Sequence, residues 1–242
     1  MNFILNFLLL LLILINSSSS EDNPQDQLQK ELDKECNAQF QENFERFLEK
    51  EISLKQALED IQEFVKKGKE NQDQMYNEMN AVSNELEQVI NRLEKDSEAD
   101  VSKEIQLIRE TTTKIEIQYN LSRFRYNYVL MWVRAVHPFL DKDGQGMTDL
   151  FSVRSKLAGQ NVKLSNGVSL VKKYAEQIEN YKNEDLDEIL FQLKVVKKYK
   201  FKSEIDEALI LIQGVIDRIQ EKEQKEHAVD QVVENFDRIE IK

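Results

Sequence analysis

Apolar residues along this chain recur at gaps of four and three, the spacing that lines one face of a helix. The longest run is Val101, Ile105, Ile108, Thr112, Ile115, Tyr119, Ser122, Tyr126, Val129, Val133 and Val136. It predicts a central helix over 101–136, roughly five heptads and about 54 Å long. Pro138 closes it, because proline cannot continue a helix. Met75, Met79, Val82, Leu86, Val89 and Leu93 form a second seam without error. Upstream, Phe40, Phe44, Phe47, Leu54, Leu58, Ile61 and Val65 predict a helical region from Leu28 to about Lys67. Ser53 and Gln56 fit a capping box at a joint near Ile52, and Gly68 reads as the stop. Asp100, with Glu104 four residues on, is placed to cap the long helix. Helices of this length are not held by propensity alone, so their seams must be covered by other helices. The fold class read from this is all-α: an elongated helical bundle with coiled-coil-like heptad seams.

The remaining segments divide the chain. Residues 1–20 read as a signal peptide: Phe3 to Ile15 is apolar apart from Asn6, and Ser17 to Ser20 supply small residues for cleavage. The run is shorter than the roughly 20 residues of a membrane span. Residues 21–27, polar and holding Pro24, read as a flexible start to a helical region over 28–140. Four of the six glycines fall between Gly144 and Gly167, so 141–165 reads as a glycine-containing joint, with a short helix from Thr148 to Leu157 closed by Gly159. Residues 166–226 read as a helical hairpin region, with the seams Leu164–Ile178 and Ile205–Ile219. Residues 227–242, with Val232, Val233, Phe236 and Ile239, read as a tail or a short docked helix.

Composition narrows the function. Six Gly and two Pro in 242 residues, with 32 % charged residues, suit long solvated helix faces. A net charge of −12 argues against nucleic acid as a partner, since phosphate needs a basic surface. Lys194, Lys197, Lys198, Lys200 and Lys202 are the one basic cluster, a solvated face or a match for an acidic face of another copy. Cys36 is the sole cysteine, so no internal disulfide forms; burial as a small hydrophobe is the simpler reading, a bridge to another chain the other.

The sharpest local motif runs from Asp141 to Asp149. Read as a calcium loop, Asp141, Asp143 and Gln145 take positions 1, 3 and 5, Gly146 makes the turn, and Asp149 stands at 9. The bidentate Glu of position 12 is replaced by Ser152. A polar turn is the simpler reading, and calcium held here would bind weakly, with Kd of about a millimolar. Asn120-Leu121-Ser122 is a glycosylation sequon, but Asn120 sits mid-helix with Ser122 on the seam, which argues against its use. The rings of Tyr119, Phe124, Tyr126, Tyr128 and Trp132 read as core filling, with Arg123, Arg125 and Arg134 reaching past them to solvent; a stacking platform is the functional alternative. His137 and His227 begin no metal-ligand spacing, and no phosphate loop or nucleophile motif appears. The sequence predicts no enzyme.

The leader 1–20 and the seams Met75–Leu93, Val101–Val136 and Ile205–Ile219, on an acidic body almost without Cys, Pro or Gly, resemble the trichocyst matrix and granule lattice proteins of ciliates. The resemblance implies storage in secretory granules, low-affinity calcium binding through many carboxylates, lattice assembly by helix contacts, and proteolytic maturation. The expected function is therefore that of a secreted structural protein of a granule matrix, placed in the granule lumen or outside the cell. Its partners would be copies of itself or related helical proteins, with no nucleic acid and no membrane after leader removal. The alternative is a secreted or lumenal helical binding module, or a non-catalytic subunit of a lumenal complex.

Overall fold

The computed structural model describes residues 24–140, 144–179, 188–189, 191, 194 and 202–240; the leader 1–20 lies outside them, as do Asp141, Asp143 and, apart from exposed Lys194, most of the basic cluster. Among the described residues the chain is helical and no strand occurs. Among the described residues, five helices have defined bounds, in order α1 (Pro24–Leu48), α2 (Leu54–Lys95), α3 (Ser102–Val136), α4 (Gln145–Glu179) and α5 (Lys202–Glu240), with a short 3-10 turn, His137–Phe139, after α3. No described helix is long and apolar enough to cross a membrane.

The turns follow from local chemistry. α1 ends with Lys50 in the left-handed region (φ 62°). Glu51 N donates to Arg46 O and Lys50 N to Phe47 O, the paired closure that usually recruits glycine. Ser53 then caps α2, its Oγ accepting from Gln56 N at 3.1 Å. Before α3, Asp100 Oδ1 accepts from Ser102 N and Oγ at 3.1 and 2.6 Å, while Val101 holds the cap position. Arg92 pairs with Glu104 across that turn.

Successive helices run antiparallel. α3 is central and packs against α1, α2 and α4, while α5 packs against α2 and α4. All six seam residues from Met75 to Leu93 are buried, and no seam residue of α3 is exposed. Cys36 Sγ meets Phe124 O across an offset of 88 residues, and α1 lies parallel to α3 at that offset. Trp132 stands edge-on to Phe40, Phe44 and Phe47 at 5.6–6.3 Å. Phe64 of α2 stacks on Tyr128 at 4.2 Å. These rings fill the junction of three helices.

Several boundaries differ from the sequence reading. The start at 21–27 is not a coil throughout: α1 begins at Pro24, where the missing N–H costs nothing at a helix's first position. Gly68 does not stop a helix. α2 runs through it, buried, with Tyr126 Cε1 3.5 Å from where its Cβ would stand. The seam of α2 keeps phase through Gly68 and Gln72, which are simply not apolar. Likewise, 141–165 is not a joint over most of its length, nor does Gly159 close a helix, because α4 is continuous from Gln145 to Glu179. Hence 166 falls inside a helix and begins no new hairpin. The segment from 227 to Glu240 is the continuation of α5 rather than a separate short helix.

Polar side chains interrupt the apolar core at several seam positions. Gln72, Ser122, Tyr126 and Gln160 occupy seam positions on α2, α3 and α4 and are at most 2 % exposed. Among the described residues, both amide atoms of Gln72 and Gln160, and the hydroxyls of Ser122 and Tyr126, have no protein hydrogen-bond partner. The contact of Gly68 with Tyr126 sets Gln72 level with Ser122, one turn further along. Burial pushes the Tyr126 hydroxyl far above the ordinary tyrosine range.

Candidate functional site

The sequence-derived calcium residues are not seen as a set, because Asp141 and Asp143 lie outside the described residues. Gln145 and Asp149 stand one turn apart on α4. Gln145 Nε2 donates to Asp149 Oδ1 at 2.9 Å, and Arg218 of α5 donates to Asp149 Oδ2 at 2.5 Å. Both carboxylate oxygens are thus engaged within the chain, and Asp149 works as a clamp between α4 and α5. Among the described residues no three His, Cys, Asp or Glu side chains gather as a metal site. Asn120 is 9 % exposed on α3, and Ser122 of its sequon is fully buried.

The aromatic segment has two sides. Tyr126, Tyr128 and Trp132 are enclosed by the chain's own helices, and Asn43 Nδ2 donates to Tyr128 Oη at 2.7 Å. A stacking platform on those rings would have no open face. The opposite side of the same stretch of α3 lines a groove of about 470 Å³ between α1, α3 and α4. Its apolar lining is Cys36, Leu130, Met131 and Ala158. Asn37 and Asn127 add amides, and Asp33 adds a carboxylate whose Oδ1 accepts from Gln29 at 2.7 Å.

Two arginines complete the groove, Arg134 from α3 and Arg154 from α4. Lys172 on Glu116, at 2.8 Å, sets the antiparallel register of these helices and brings Arg134 level with Arg154. Other bases that reach a second helix are paired: Lys69 with Asp206, Lys156 with Glu207, Lys163 with Glu204. Arg125 donates to Lys67 O at 2.8 Å. Arg134 and Arg154 have no such partner among the described residues. Cys36 is 2 % exposed, and burial, with Asp33 nearby, pushes its thiol up to about 11. It is a poor nucleophile, since the thiolate is the reactive form.

Sequence reading noted Arg134 only as a base reaching past the rings, and Arg154 not at all. Twenty residues separate them, and only the packing of α4 on α3 makes them neighbours. No family model matches this chain, and no curated protein or solved structure is found to be similar to it.

Proposed function

We propose that this chain is a secreted, non-catalytic structural protein of a secretory-granule matrix that assembles with copies of itself or with related helical proteins. The observation that supports this most directly is the far end of α5. Gln62 meets Gln213 and Lys69 meets Asp206, so α5 runs back along α2 toward its start at Leu54. Asp149 on Arg218 sets the same direction along α4, which starts at Gln145. Carried forward, both registers run out of partner near residue 220. Glu221 to Val229 are all exposed, and the helix continues to Glu240. Residues 221–229 therefore stand clear of α2 and α4, a stretch of about 13 Å. A lone helix of that length is marginal in water, and the sequence past Val229 repeats apolar residues at helical spacing. A second copy is the cover this reading assigns. With a net charge of −12, calcium at about millimolar level would screen and bridge acidic faces as copies approach.

Sedimentation of the mature chain, with and without millimolar calcium, tests the reading against a chain ending at Gln220. Association of the full chain, stronger with calcium and absent from the shortened one, is the expected result. A full chain that stays monomeric in both conditions overturns it. A second reading, a secreted or lumenal binding module, draws on the groove between α1, α3 and α4.

A further inference from the structure

We propose that the groove between α1, α3 and α4 binds a soluble, singly headed anionic amphiphile: a phosphate or carboxylate on an alkyl chain. This rests on the second reading above and is independent of assembly. Arg134 and Arg154, both exposed, line one groove from two helices at one level, so an anion seated between them would meet positive charge from both sides. Guanidinium groups present paired donors that match a phosphate or carboxylate. In a chain of net charge −12, two guanidiniums on one groove with no acidic partner among the described residues are a local exception. Screening over about 8 Å at physiological ionic strength lets that local charge prevail over the acidic surface.

The rest of the lining sets the body of the ligand. Leu130, Met131, Ala158 and Cys36 offer an apolar track leading away from the arginines. At the 88-residue offset of α1 from α3, Asp33 lies about three turns below Arg134, on the order of 15–20 Å along the axis. Its carboxylate repels a second anionic head at that end, so a dicarboxylate is rejected. The volume of about 470 Å³ lies within the ordinary range for small-molecule sites.

Calorimetry on the mature chain with dodecyl phosphate, below its critical micelle concentration, tests this. One molecule is expected per chain, with inorganic phosphate at least tenfold weaker and dodecyltrimethylammonium not bound. The double variant Arg134→Gln/Arg154→Gln is expected to lose at least tenfold in affinity with its unliganded melting curve unchanged. Should that variant fold poorly, Ala158→Trp, which fills the track and keeps both arginines, is expected to block binding as well. Equal binding of the cationic amphiphile, or full affinity in either folded variant, overturns the proposal. Vesicles containing phosphatidic acid separate the sources: binding to free dodecyl phosphate but not to vesicles supports a soluble ligand, and binding to vesicles alone overturns it.

Discussion

The α2–α3 pair and the α4–α5 pair are both antiparallel, yet they are held differently. Between α2 and α3 the contact is a long row of buried apolar residues, with Arg92–Glu104 as an ion pair at the turn. Between α4 and α5 the apolar row is flanked by Asp149–Arg218, Lys156–Glu207 and Lys163–Glu204, and Lys69–Asp206 ties α5 to α2. Apolar burial is non-directional and is not weakened by charge screening, whereas partly exposed ion pairs fix alignment and weaken as salt rises. The first pair is a spine; the second is an alignment that solution conditions can loosen.

The largest expected effect lies in the spine. Leu86→Ala removes a fully buried side chain and is expected to cost about 2–5 kcal/mol, read as a lower midpoint of urea unfolding. A loss below that of an α4–α5 variant would invert the comparison. Next is Arg218→Ala, which leaves the Asp149 carboxylate, with a side chain only 12 % exposed, to Gln145 alone. The expected cost is about 1–3 kcal/mol, smaller in molar salt, with hydrogen exchange rising in α5 before α2.

Alkali separates the halves in another way. The folded chain holds the Cys36 proton to about 11, whereas the ordinary thiol value is 9.0. The proton-bound form is thus favoured by folding. Its contribution is complete below 9.0 and is lost as pH rises through about 11. The stability difference between the natural chain and Cys36→Ala is expected to shrink over that window in pH-dependent unfolding. A constant difference would show that the thiol is not sequestered between α1 and α3. The smallest effect is a gain. Gly159 is exposed within α4, with nothing within 4 Å of an added Cβ, so Gly159→Ala should raise stability by about 0.5–1 kcal/mol. A loss would mean that α4 bends there in solution.

Much of the helical fold was legible. The seam over 101–136 matches α3 (Ser102–Val136) closely, because an unbroken apolar phase and a closing proline leave few alternatives. The errors at Gly68 and across 141–166 share one cause. Gly68, Gln72, Gln160 and Gly167 occupy buried seam positions without being apolar. Reading by residue type therefore saw breaks where the phase continued. At Gly68 the missing side chain is supplied by the Tyr126 ring from across the interface, which no local pattern reports. The groove was less legible still. Arg134 and Arg154 look like ordinary solvated bases until the α3–α4 register sets them side by side.

The four polar side chains inside the bundle have a consequence for uniqueness. A purely oily spine would tolerate sliding by a heptad, since one leucine replaces another at little cost. Slid by seven residues, Gln72 would meet Ile115 or Val129, and Ser122 would meet Val65 or Met79. Each amide or hydroxyl would then face only apolar side chains, with no polar group opposite it to share a water. The level of Gln72 and Ser122 therefore acts as a notch that favours one alignment of α2 on α3 over its heptad-shifted neighbours.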